Sequence, residues 1–168
     1  MPGYRLDYDI KDPAAVRNMQ DVLLSETVGY VFKKSEFYGA RFKELGLEPG
    51  SFRSVDDIRR LPVTAKEDIQ KDNWSFLCVD RRRVSEVVAT TGTTGKPVFF
   101  ALTTGDLERL SENEARTFAV MGVGSGDLVQ VAVTLDNLFI AGLAYYSGLK
   151  MVGAGALRTG PLNPRRQL

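Results

Sequence analysis

Apolar residues at Val16, Met19, Leu23 and Leu24 recur with a helical rather than a strand period. Asp12 stands before Pro13, a capping side chain followed by proline at the first helical position, so a helix is predicted to open there. A second short helix is predicted over 35–45, with Gly46 as its left-handed stop. Two more helix starts follow, because Ser54 with Asp57 and Thr64 with Glu67 both have capping-box spacing. Leu61-Pro62 separates them, since a residue before proline avoids the helical region.

From about Val84 the pattern changes. Val84 to Ala89 and Val98 to Leu102 read as strands. A helix is predicted over 106–121, capped by Thr103 or Thr104, closed by Gly122, and presenting Leu107, Leu110, Phe118 and Val120 on one face. Leu128 to Val133, apolar but for Gln130, reads as a strand of the buried kind. A helix near 138–150 and a strand near 151–157 complete a βαβ unit. The tail from Gly160 to Leu168 carries no element signal, and no internal repeat is visible. The expected fold class is α/β: a mainly helical segment over 1–83, then an α/β segment over 84–168.

Composition narrows the chemistry. The 22 basic and 21 acidic residues nearly cancel, which argues against nucleic acid as the main partner. The run Arg81-Arg82-Arg83, flanked by Asp80 and Glu86, reads as a solvated turn. One cysteine, Cys78, allows no internal disulfide, and the absence of histidine excludes Ser-His-Asp and Cys-His sites and a His/Cys zinc site. No metal site is expected within the chain. Cys78, Trp74 and Phe76 read as core residues and Lys66 as a surface lysine. The start of the chain, with Asp7, Asp9 and Asp12, does not resemble a signal peptide, and no stretch is long enough to span a membrane. A cytoplasmic protein is expected.

The candidate chemistry lies between the two strand-like runs, in Thr90-Thr91-Gly92-Thr93-Thr94-Gly95-Lys96-Pro97. Gly92 and Gly95 can take positive φ and bring the backbone close to a ligand. Successive N–H groups can then form an anion-binding nest, joined by four hydroxyls and the Lys96 charge. The spacing is not that of a Walker loop, because only Thr93 and Thr94 separate Gly92 from Gly95-Lys96, and Pro97 forbids the helix that a Walker loop opens. On residues alone, a Gly/Thr turn between two strands is an equal reading.

Thr90 to Pro97 resembles the phosphate-binding signature of the adenylate-forming enzyme superfamily. Phe37-Tyr38 with Arg41-Phe42, and Leu61-Pro62-Val63-Thr64-Ala65-Lys66-Glu67-Asp68, resemble early segments of its phenylacetate–coenzyme A ligase branch. Leu138-Phe139, Gly142-Leu143 and Gly148 resemble that branch's helix start beside the acyl pocket, and Gly153-Ala154-Gly155 and Gly160-Pro161 the strand and turn after it. Where many such ligases carry a histidine-tyrosine pair, this chain has Tyr145-Tyr146, which implies a different acyl substrate.

The resemblance implies an incomplete large domain of an ATP-dependent aryl- or acyl–coenzyme A ligase. ATP phosphates would be held by Thr90, Thr91, Gly92, Thr93, Thr94, Gly95 and Lys96, and a carboxylic acid, aromatic or other, by Phe139, Gly142, Tyr145 and Tyr146. ATP, Mg²⁺ and coenzyme A are the implied co-substrates. Family members are more than twice as long, and their adenine segment, ribose-binding aspartate and adenylation lysine have no match here, so no catalytic residue is expected in this chain. Turnover by the chain alone is not expected. Self-association or a complementing chain is. The rival reading is a non-catalytic binding or assembly module that keeps the fold.

Overall fold

The structure, a computed structural model, describes residues 12–90 and 97–161. They form two compact units, Met1–Asp80 and Arg81–Leu168.

In the first unit, α1 (Pro13–Lys34) begins as expected: the Asp12 carboxylate accepts from the Ala14 N–H at 3.0 Å, with Pro13 in the first turn. Ser35 both ends α1 and caps α2 (Glu36–Glu44). Its hydroxyl is buried; it accepts from Tyr38 N at 3.2 Å and donates to the carbonyl of Ser75 at 2.9 Å. Gly39 lets α2 approach α1, since a Cβ there would lie 2.9 Å from the Phe32 carbonyl oxygen. Val28, Phe42 and Phe52 form the buried cluster, with Leu24, Phe32, Tyr38, Leu47 and Leu61 packed around it. Phe37 stacks on Phe76 with ring centroids 4.1 Å apart. Gly46 has φ +62° and stops the helix region as expected.

Three details differ from expectation in this unit. The 54–57 capping box is present but opens a 3₁₀ segment, Val55–Arg60. Thr64 and Glu67 do not form the second box. α3 (Lys66–Lys71) starts one residue later, with the Asp68 carboxylate accepting from Ala65 N at 2.8 Å. Thr64 is instead engaged by its hydroxyl, 3.0 Å from the Tyr38 hydroxyl. Trp74 is 45% exposed rather than core, because the Asp72-capped turn that carries it lies at the surface.

In the second unit, β1 (Glu86–Ala89) and β2 (Phe99–Leu102) form an antiparallel hairpin, with Ala89 opposite Phe99. α4 (Thr104–Val120) is capped by Thr103, whose hydroxyl and backbone N–H both engage the Asp106 carboxylate. Val120, placed on the apolar face by its spacing, is 90% exposed; it is the last residue of α4, and Gly122 at φ +84° turns the chain away.

β3 (Leu128–Val131), α5 (Ile140–Val152) and β4 (Gly155–Arg158) make the expected parallel βαβ unit. Val131, Leu149 and Ala154 are its buried centre. β3 is not buried on both faces, however: Leu128 is 71% exposed while Val131 is buried. Parallel sheets are ordinarily covered on both sides. Here α5 packs on one, and among the described residues the other, with Leu128 and Leu157, is open. Gly148 lets α4 and α5 touch, since a Cβ there would stand 2.4 Å from Glu114 Cβ and 3.1 Å from Ala115 N.

Candidate functional site

The hairpin register places the two ends of the Thr- and Gly-rich segment side by side. Thr90 N donates to the Val98 carbonyl at 2.9 Å, and Val98 N donates to Thr90 Oγ1 at 3.0 Å. Thr90 therefore extends the ladder one step past β1 with its side chain standing in for backbone. Its hydroxyl, which accepts one bond here, keeps a proton to donate. Thr91, Gly92, Thr93, Thr94, Gly95 and Lys96 lie outside the described residues.

A cavity of about 570 Å³ opens beside this junction, within the usual range for small-molecule sites. Ala89, Thr90, Pro97 and Phe99 form one wall; Thr134, Asn137, Leu138 and Phe139 form the other. This described lining contains no ionisable side chain, so it offers apolar surface and a few hydroxyl and amide groups.

The second wall is a tight turn. Asn137 and Leu138 have φ of 58° and 59°, and Phe139 N donates to the Asp136 carbonyl at 3.2 Å. Two central residues at positive φ under such a bond is the pattern of a type I′ turn, which favours Asn, Asp and Gly. Asn137 suits it; Leu138 does not, and a left-handed residue with a Cβ costs roughly 1–2 kcal/mol. Asp136 N donates to Thr134 Oγ1 at 2.9 Å, and the Leu138 carbonyl accepts from Ala89 N at 2.9 Å. These two left-handed residues also explain why α5 begins at Ile140 rather than near 138.

Of the four acyl-pocket candidates, Phe139 lines the cavity. Gly142 sits under the same wall, where a Cβ would fall 2.0 Å from the Thr134 carbonyl oxygen. Tyr145 meets Phe118 edge-on with centroids 6.3 Å apart, and Tyr146 lies beneath the Arg158 guanidinium at 5.2 Å. Neither tyrosine is among the described lining residues. Spacing did not single out Asn137 or Thr134. An Asn-Gly pair would have signalled the turn, but Asn-Leu conceals it.

The shifted titrations are structural and none lies in the cavity wall. For Asp106, burial pushes the carboxyl up, but the Thr103 hydroxyl and N–H bonds and the Arg109 guanidinium outweigh it and hold the group below its ordinary value. Asp57 is lowered by the backbone N–H groups of Arg53 and Ser54. Burial pushes the Cys78 thiol up. Among the described residues no group of three or more His, Cys, Asp or Glu side chains could hold a metal ion, and no described helix is long and apolar enough to cross a membrane.

No family model matches the chain. Over 140 residues it is 34% identical to a phenylacetate–coenzyme A ligase of Thermus thermophilus, a match covering 82% of this chain and 31% of that protein. It is 30% identical over 138 residues to a phenylacetate–coenzyme A ligase of Escherichia coli, covering 81% of this chain and 31% of that one. The chain thus spans about a third of the length of these curated relatives. Its structure is similar to that of a 2-hydroxyisobutyryl-CoA ligase in complex with 2-HIB-AMP and CoA, with TM-score 0.82 and 26% identity, covering 92% of this chain and 34% of that one.

Proposed function

Because the chain is a phenylacetate–coenzyme A ligase-like portion of the adenylate-forming superfamily, we propose that residues 90–96 hold the β- and γ-phosphates of ATP while a carboxylic acid occupies the adjoining cavity. The observation that carries this reading is the juxtaposition at the hairpin end: Thr90 and Pro97 meet at the rim of a cavity whose far wall is Leu138 and Phe139. An anion grip and an apolar slot side by side are what adenylation of a carboxylate requires.

In that reaction the carboxylate attacks the α-phosphate of ATP, giving an acyl-adenylate and pyrophosphate, and the coenzyme A thiol then displaces AMP. The part of this chain is to hold the leaving pyrophosphate and spread its charge over N–H, hydroxyl and ammonium donors. Mg²⁺ would arrive with the phosphates, since such ions are commonly held by substrate oxygens and water. Turnover by this chain unaided is not expected, because the family's adenine segment, ribose-binding aspartate and adenylation lysine have no match in it.

Isothermal titration of the intact chain with inorganic pyrophosphate and with MgATP tests the grip. Binding is expected, weakened about ten- to a hundredfold in Lys96→Ala, since one hydrogen bond to a charged group contributes roughly 1.5–3 kcal/mol. Acyl-adenylate formed by the chain unaided would sink the claim of inactivity. A melting temperature unmoved by saturating MgATP would favour the assembly-module reading instead, since a ligand that binds only the native state must raise it. The open face bearing Leu128 and Leu157 is where a second copy or a complementing chain would seat, and sedimentation showing a clean monomer at all concentrations would remove that part of the reading.

A further inference from the structure

Leu138 occupies a position in a type I′ turn that glycine would fill without strain, yet the turn is kept and its carbonyl is spent on a distant strand. The bond from Ala89 N reaches β1 at its last residue, immediately before Thr90. On its other side Thr90 is tied to Val98 by two bonds. Thr90 and the end of β1 are therefore held from two directions: by β2, and by the turn that forms the far wall of the cavity. The turn itself is anchored by the Asp136–Thr134 and Phe139–Asp136 bonds and by the close seat of Thr134 against Gly142.

We infer that the left-handed Asn137–Leu138 turn is a positioning device for Thr90, the described end of the proposed phosphate grip, acting through the Leu138 carbonyl on Ala89. The inference rests on the phosphate-holding reading of 90–96. It assigns the effect to backbone conformation at residue 138, and it ties the wall of the acid cavity to Thr90 through the end of β1.

Two variants of the intact chain separate backbone from side chain. Leu138→Gly produces the favoured Asn-Gly pair, so it keeps the turn while deleting the side chain. Leu138→Val puts a β-branched residue where φ is positive, which the backbone strongly resists. Two quantities are measured: residue-resolved hydrogen exchange at the Ala89 amide, and pyrophosphate affinity by titration. In Leu138→Gly both are expected to stay within about twofold of the parent. In Leu138→Val, exchange at Ala89 should accelerate and affinity fall, each by about tenfold, equivalent to about 1.4 kcal/mol. A merely structural role would lower the melting temperature of both variants without this split.

Equal Ala89 exchange in the Val variant and the parent overturns the inference, as does a Gly variant that loses affinity as the Val variant does. If the Val variant is unfolded by circular dichroism, Leu138→Gly decides alone: retained affinity supports the backbone assignment and lost affinity refutes it. If the parent chain binds no pyrophosphate, it is the phosphate reading that fails. The Ala89 exchange ratio between the two variants still reports whether the turn holds the strand end.

Discussion

Gly142 stands where the first turn of α5 passes under the Thr134 carbonyl, and the 2.0 Å left for a Cβ is less than any side chain can occupy. Gly142→Ala must push the 134–139 wall or the helix aside, and overpacking of this kind typically costs about 1–3 kcal/mol. Thermal unfolding should show a clear drop, and pyrophosphate affinity should fall with it because the wall also holds Ala89. An unchanged melting temperature would mean that wall and helix separate easily. The pairing of glycine with carbonyl was not legible in the sequence, since spacing alone did not say what faced it. Thr90 shows the complementary case: its place in a Thr-rich motif is plain to read, but its use as a rung of the hairpin ladder depends on Val98 lying opposite.

At the scale of elements, several helix starts followed local chemistry, the Thr64–Glu67 box excepted, and strand burial did not. Asp12 caps α1 as its side chain predicts, and Thr103, of the two threonines offered, caps α4, because a cap is decided within four residues. β3 departs from the buried strand expected of it: Gln130 shares a face with Leu128, and that face is exposed while Val131 on the other is buried. Two element-scale outcomes follow from the packing of α4. Gly148→Ala would press a methyl onto Glu114 Cβ and the Ala115 backbone, forcing α4 and α5 apart at a cost of about 1–3 kcal/mol, readable as a lower urea midpoint. At the start of α4, the Asp106 carboxyl is held below its ordinary value. A depressed folded-state value stabilises the native form fully above the unfolded carboxylate pKa of about 3.9, and the contribution is lost as pH falls toward the folded value. The melting-temperature advantage of the parent over Asp106→Asn should therefore be constant near neutrality and shrink below about pH 4. A gap that widened on acidification would contradict the assignment.

Across the whole molecule, both the α/β class and the kinship to acyl–coenzyme A ligases could be read from local patterns and motifs. What could not be read were contacts between segments far apart in sequence, such as the bond from Leu138 to Ala89. The first unit holds another such contact in Ser35, whose one hydroxyl starts α2 and ties down the Ser75 carbonyl forty residues away. Local fraying at that point cannot stay local. Opening α2 at its start strands a buried hydroxyl and releases the 73–76 turn in the same event, so the two segments share one opening free energy. Native-state exchange should then find the Tyr38 and Leu77 amides becoming reachable together, as members of a single cooperative unit rather than of two neighbouring ones.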